Sequence, residues 1–144
     1  MNDERPPWVS TRDPWSIDYL PLHPWGNKSK EAISTVDPRL VYIANKLADI
    51  WNMTIIHGYR GRELQTQLHE QNPNGALPWP LSEHNHTPSR AIDIAPYPVN
   101  WEKVDRFDMM IGAAYAIAEG GNFRIDSGKF FSNVLDYPHI QVVD

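Results

Sequence analysis

The sequence predicts an α+β fold, in which a mostly antiparallel sheet of about four strands packs with three main helices. Short apolar segments typical of strands occur at 53–59, 91–95, 123–125 and 139–143. Longer segments with apolar residues at helical spacing lie between some of them. The chain has 144 residues and no Cys, and no repeat or linker divides it. We therefore expect one domain, large enough to bury a core without disulfides.

The first 35 residues are expected to form an irregular segment that wraps around a core formed by residues 36–144. Prolines interrupt helices and cannot donate to a central sheet. Five occur in this segment, at Pro6, Pro7, Pro14, Pro21 and Pro24. Tryptophan follows proline at Trp8, Trp15, Trp25 and Trp79. Because aromatic rings bury large areas, we expect these rings to anchor loops on the core; a platform for a glycan is the alternative.

The first predicted helix begins after Asp37, which can cap it, and has Pro38 at its first position. Its apolar residues share one face and are Leu40, Ile43, Ala44, Leu47 and Trp51. A strand is expected over Met53–Tyr59, followed by a short helix over about Arg62–Glu70. The Asn, Pro and Gly residues of segment 72–75 end this helix.

Alternation in the next strand predicts that Ile92 and Ile94 face the core, while Asp93 faces the other side of the sheet. Asn100 is expected to cap a longer, buried helix over Trp101–Glu119, which a Gly-Gly pair ends. Segments 123–125 and 139–143 complete the strands. In the last one, Ile140 and Val142 face inward and His139 starts the strand on the opposite face.

Three segments supply candidate ligands for one catalytic zinc ion, namely His84, Asp93 and His139. A catalytic zinc takes three protein ligands of the His and Asp/Glu type and leaves a fourth position open, whereas structural sites are usually closed by four ligands. The methyl-sized Ala91 and Ala95 flank the carboxylate and leave room above the sheet. These features make a metallohydrolase the leading hypothesis. Unrelated polar residues are the alternative.

Two further residues are candidates for the chemistry. Asp136 lies in the turn before His139 and could act as a general base without being a ligand. Arg60 could stabilise the negative charge that develops on an amide oxygen, or hold a substrate carboxylate. A surface salt bridge is its alternative role. His23 and His57 are isolated histidines, for which we expect ordinary structural or surface roles.

These residues resemble the zinc peptidases of peptidoglycan, which comprise D-Ala-D-Ala carboxypeptidases and dipeptidases and the L-alanyl-D-glutamate endopeptidases of phage endolysins. The family pattern contains Ser-x-His, Ala-x-Asp, and an acidic residue before a final His, matched here by Ser82–His84, Ala91–Asp93 and Asp136–His139. Gly58-Tyr59-Arg60 and Gln65 match its opening segment. The resemblance covers nearly the whole chain. It implies one zinc ion and hydrolysis of the peptidoglycan stem peptide.

One departure concerns the first histidine ligand. The family's usual spacing, counted back from Asp93, reaches His86, whereas the Ser-x-His pattern reaches His84. We favour His84, because segment 87–90 looks like a short loop insertion and loop lengths vary more readily than ligand identity. His86 would then be a pocket or surface residue.

The resemblance also implies roles for neighbouring residues. It identifies Arg60 as the family's functional arginine, and places Gln65 one helical turn later, behind the ligands or against the substrate. Ser82 could orient His84 or bind substrate. Arg62 or Arg90 could help Arg60 to orient substrate carboxylates through paired hydrogen bonds.

Three functions are compatible with these residues. The first is a phage endolysin that cuts between L-Ala and D-Glu, and the second is a D-Ala-D-Ala carboxypeptidase. The third is an inactive zinc-binding module, like the hedgehog signalling domain. Asp136 and Arg60 argue against the third function, because a structural zinc needs neither residue.

Composition excludes some partners. A formal charge of -5 and a sequence pI near 5.6 argue against a nucleic-acid partner. We also expect no stable membrane insertion, because no apolar run is long enough to span a bilayer. The polar N-terminus predicts cytoplasmic synthesis without a signal peptide. We expect a monomer that reaches the cell wall, in the host periplasm, after another protein opens the membrane.

Overall fold

The structure is a computed structural model that describes residues 13–132 and 135–144. The predicted α+β class is confirmed. These residues contain four α-helices, which are α1 (Asn27–Ile33), α2 (Pro38–Ile50), α3 (Arg62–Gln71) and α4 (Val104–Gly120). In the same ranges, four strands form one sheet, which are β1 (Met53–His57), β2 (Ala91–Pro96), β3 (Arg124–Ser127) and β4 (His139–Val143). Short 3-10 turns occur at Glu83–Asn85 and Gly128–Phe130.

The sheet has the strand order β1-β2-β4-β3, and all neighbouring strands pair antiparallel. Helices α2 and α4 contact each other and the sheet. Three sheet residues, Ile92, Ile94 and Ile140, are fully buried, as are Leu47 of α2 and Met110 of α4. Each such side chain contributes about 1.5–3 kcal/mol by leaving water. Because successive strand residues point to opposite faces, the alternate residues of β2 and β4 line the other face of the sheet.

Most element boundaries agree with the sequence prediction, but α4 is shorter than predicted. It begins at Val104 rather than Trp101, and Lys103 occupies the position before it. Asn100 does not cap the helix. Its Oδ1 accepts a hydrogen bond from the backbone N–H of Glu102 at 3.0 Å, which forms a local turn of the kind that Asn favours.

The N-terminal segment is not irregular throughout, because residues 27–33 form α1. Pro24 lies before this helix and no proline lies within it, so proline does not prevent residues 27–33 from being helical. The anchoring role is confirmed for two tryptophans. Trp15 stacks on Tyr42 with ring centroids 4.3 Å apart, and Trp25 is buried.

Trp79 is half-buried, whereas the prediction for Trp8 concerns a residue outside the described ranges. Within residues 13–132 and 135–144, no helix is long and apolar enough to cross a membrane.

Asn45 of α2 ties the N-terminal segment to the core. Its side-chain oxygen accepts from Trp25 Nε1 at 3.0 Å, and its Nδ2 donates to the carbonyls of Pro14 and Ser16 at 2.9 and 3.0 Å. Because Asn45 is 1% exposed, its removal would leave buried polar groups unsatisfied.

We therefore predict that Asn45→Ala lowers the free energy of unfolding by about 1–3 kcal/mol. Urea denaturation measures this change. The matched control is Asn52→Ala, at an exposed position, which should leave the stability near that of the unchanged protein. Equal stability of the two variants would contradict this account of the N-terminal segment.

Candidate metal centre

Three polar side chains form a row across the sheet, on the face away from the helices. His57 of β1 stands opposite Asp93 of β2, and Asp93 stands opposite His139 of β4. Directly opposed residues of antiparallel strands have side chains within contact distance. The strand register therefore brings these three residues together without any contribution from loops.

A 3-10 turn brings in the fourth member, His84. The Ser82 hydroxyl accepts a hydrogen bond from the His84 backbone N–H at 3.2 Å, while Asn85 Oδ1 accepts from the Ser82 N–H at 3.0 Å. This reciprocal cap fixes the start of the turn. The backbone carbonyl of His84 also accepts from the Arg60 N–H at 2.8 Å, which joins the turn to the segment after β1.

The donor atoms of His84, Asp93 and His139 form a cluster that could hold a metal ion. Asp93 Oδ1 lies 3.2 Å from His84 Nε2 and 3.4 Å from His139 Nδ1, and all three donor atoms are within 4.8 Å of one another. Ligands at zinc distances in a tetrahedron are separated by about 3.3 Å. The two measured separations therefore fit a tetrahedral ion bound by two imidazoles and one carboxylate.

Both histidines have their remaining ring nitrogen engaged. His84 Nδ1 lies 2.7 Å from the carbonyl oxygen of Gly58, and His139 Nε2 lies 2.7 Å from Gln141 Oε1. Because these oxygens accept, the two ring nitrogens donate, and the other nitrogen of each ring faces Asp93, where it would be available to a metal ion. Gly58 must be a glycine, because a Cβ there would lie 2.4 Å from Thr35 Oγ1.

The second oxygen of Asp93 has its own donors. Arg60 Nη2 lies 2.6 Å from Oδ2, and His57 Nδ1 lies 3.4 Å from it. Burial opposes ionisation of this carboxyl, but the surrounding His84, His139 and His57 hold its pKa well below the usual range. Asp93 is therefore a buried carboxylate that stays ionised and can serve as a ligand.

Arg60 is held by a network behind Asp93. Its Nη1 lies 3.4 Å from Gln65 Oε1, and Gln65 Nε2 donates to the Leu77 carbonyl at 2.6 Å. Asn85 Nδ2 donates to both the Arg60 carbonyl and Gln65 Oε1, at 3.0 and 3.1 Å. Gln65 thus lies behind the carboxylate and is fully buried.

Asp136 lies beside the cluster and outside it. Its Oδ2 is 3.8 Å from His139 Nδ1, and its side chain is 41% exposed. Partial burial, with the nearby Asp93 charge, raises the pKa of Asp136 above its ordinary value. Gly128 allows the close approach of this loop: its carbonyl accepts from the Asp136 N–H at 2.9 Å, and a Cβ on Gly128 would lie 2.1 Å from the Asp136 carbonyl oxygen.

The cluster lies in an open cavity of about 760 Å³. Polar groups line its floor, including Arg60, Asp136 and the three clustered side chains. Its walls carry apolar side chains, among them Leu77, Leu81 and Trp101. A cavity of this size that combines apolar side chains with convergent polar groups is typical of a small-molecule or peptide site.

His84 and His86 were the two candidates for the first histidine ligand, and they lie in different surroundings. His84 is 1% exposed and within the cluster, whereas His86 is 55% exposed at its side chain, with Nε2 4.0 Å from Glu83 Oε2. Ser82 and Gln65 both line the cavity.

Arg90 is not among the described residues that line the cavity. Its guanidinium pairs with Glu83 at 2.9 Å and with Asp144 at 3.1 Å, so its charge is used to hold the turn and the chain end together. The substrate role expected for Arg90 stays a prediction.

Two residues of the site were not singled out from the sequence. Asn85, which links Arg60 to Gln65, follows His84 in the sequence and offered no separate signal. His57 was expected to have an ordinary structural or surface role, yet it lines the cavity and contacts Asp93.

No protein-family model matches the chain, and no curated protein does either. Among solved structures, the crystal structure of Serratia marcescens L-Ala D-Glu endopeptidase ChiX is similar to it. The two chains share 20% sequence identity and superpose with a TM-score of 0.68, over 81% of this chain and 87% of ChiX. The likeness establishes a shared fold.

We predict that the purified protein binds zinc stoichiometrically and that His84→Ala abolishes this binding, because the variant loses one of three clustered donors. His86→Ala is the matched control and should bind zinc normally, since its side chain is exposed. Metal analysis after gel filtration measures both. Loss of zinc in His86→Ala with retention in His84→Ala would show that the wrong histidine was chosen.

Proposed function

We propose that this chain is a zinc-dependent peptidase that hydrolyses the stem peptide of peptidoglycan between L-Ala and D-Glu, as an endolysin does. The observation that carries the proposal is the buried cluster of His84, Asp93 and His139, with the carboxylate of Asp136 beside it in an open cavity. The fold shared with an L-Ala D-Glu endopeptidase favours this bond.

Zinc suits the donor set better than a harder cation. Two imidazoles and one carboxylate are typical ligands of catalytic zinc, whereas magnesium and calcium prefer oxygen donors. Bound at this position, zinc supplies Lewis acidity that polarises an amide carbonyl and acidifies water. His84 Nε2, His139 Nδ1 and Asp93 Oδ1 are the atoms that would hold the ion.

Asp136 is proposed as the general base and acid. Its carboxylate is near the cluster and exposed to the cavity, so it can accept a proton from the attacking water at Oδ2. It can then return that proton to the leaving amine nitrogen. A raised pKa brings the carboxyl closer to the operating pH, which favours both transfers.

Arg60 supplies fixed positive charge at the cavity floor. Its ion pair with Asp93 holds the carboxylate in place, and its charge can stabilise the oxyanion that develops on the scissile carbonyl. The side chain is 12% exposed, and it lines the cavity. An inactive zinc-binding module would need neither this charge nor Asp136.

The experiment that tests this proposal is digestion of purified sacculi by the zinc-loaded protein, with mass analysis of the products. We expect new N-terminal D-Glu and no new reducing sugar ends. Release of free D-Ala alone would favour a carboxypeptidase instead. Zinc binding without any released product would favour an inactive module.

The same digestion tests the role of Asp136. Asp136→Asn should keep its zinc and lose about two to four orders of magnitude of turnover, because a general base is not a ligand. Asp126→Asn, at an exposed position of β3, is the matched control and should digest sacculi normally. Near-normal turnover of Asp136→Asn would remove this residue from the mechanism.

A further inference from the structure

We propose that His57 is a positioning residue of the metal centre, which holds the outer oxygen of Asp93 so that the inner oxygen faces the ion. The inference rests on the zinc site of the proposed function and adds a residue to it. His57 lies outside the motif residues on which the family resemblance depends.

A β-bulge places His57 in the site. Along β1, Met53, Thr54 and Ile55 pair in regular register with β2, and the register then shifts between Ile55 and His57. Without this shift, the residue opposite Asp93 would be Ile56. A one-residue slip in a strand exchanges its two faces, so the imidazole would then point toward the core.

Bulges often occur beside active sites, where they re-aim a side chain. Here the bulge replaces an isoleucine by an imidazole opposite the buried carboxylate. His57 is 30% exposed at its side chain and lines the cavity. Its position is therefore set by the backbone and opens onto the space where a substrate would bind.

The contacts of His57 separate it from the donor cluster. Its Nδ1 lies 3.4 Å from Asp93 Oδ2, whereas both clustered histidines approach Oδ1. Its ring centroid is 6.5 Å from that of His84, and the two rings are nearly perpendicular. The described cluster of possible ligands accordingly contains three residues, and His57 is not one of them.

This arrangement divides the two oxygens of Asp93 between two tasks. Arg60 and His57 both face Oδ2, so this oxygen is occupied on two sides, whereas His84 and His139 face Oδ1. The carboxylate is thereby disposed to contribute one oxygen rather than two, which keeps a position open for water. Partners of metal ligands that act in this way commonly raise metal affinity.

A matched pair of variants tests the inference. His57→Leu removes the donor, whereas His57→Asn keeps a side-chain amide close to the position of Nδ1. We expect His57→Leu to bind zinc about 10–100-fold more weakly, as measured by competition with a chelator. His57→Asn should recover most of this affinity, and His86→Ala should match the unchanged protein.

Unfolding of the zinc-free proteins separates positioning from a structural role. We expect His57→Leu to unfold at a temperature close to that of the unchanged protein. If His57→Leu does not fold, His57→Ala takes its place in both measurements. If the unsubstituted protein binds zinc and His57→Leu binds it equally tightly, this inference is wrong while the proposed function stands. Failure of the unchanged protein to bind zinc would overturn the proposed function, and this inference with it.

Discussion

The carboxylate of Asp93 is buried, and a buried charge is costly unless charged or hydrogen-bonding partners surround it. It is 5% exposed, and Arg60, His57, His84 and His139 all approach its two oxygens. These partners come from β4, the end of β1, the segment after it and a 3-10 turn. The carboxylate therefore joins parts of the chain that are distant in sequence, and much of the site follows from the need to pair it.

The sheet makes such a centre compatible with a stable core. Strand alternation sends Ile92, Ile94 and Ile140 toward the helices, so the face that carries Asp93 and His139 is free for polar chemistry. Two glycines allow the loops around the site to pack closely against neighbouring backbone. Gly58 accepts from His84, and Gly128 holds the loop of Asp136, so the candidate ligands and the candidate base are positioned by backbone contacts.

Sequence periodicity predicted those features that depend on regular structure. Asp93 and His139 lie where alternation places them, and α2 begins at Pro38 as its cap predicts. The position of His57 opposite Asp93 could not be predicted in this way. A period of two from Met53 and Ile55 puts it on the core face, and the bulge that reverses this depends on pairing with a distant strand.

The ion pairs of Arg90 could not be predicted from the sequence either, because Asp144 is remote from it along the chain and close to it only in the fold.

The proposed zinc site requires that one ion bind between His84, Asp93 and His139. A crystal structure of the zinc-loaded protein, with anomalous data at the zinc edge, tests it most directly. We expect one peak at about 2.0–2.2 Å from Nε2, Oδ1 and Nδ1 of these residues. A peak bound through His86, or anywhere else on the surface, would contradict it.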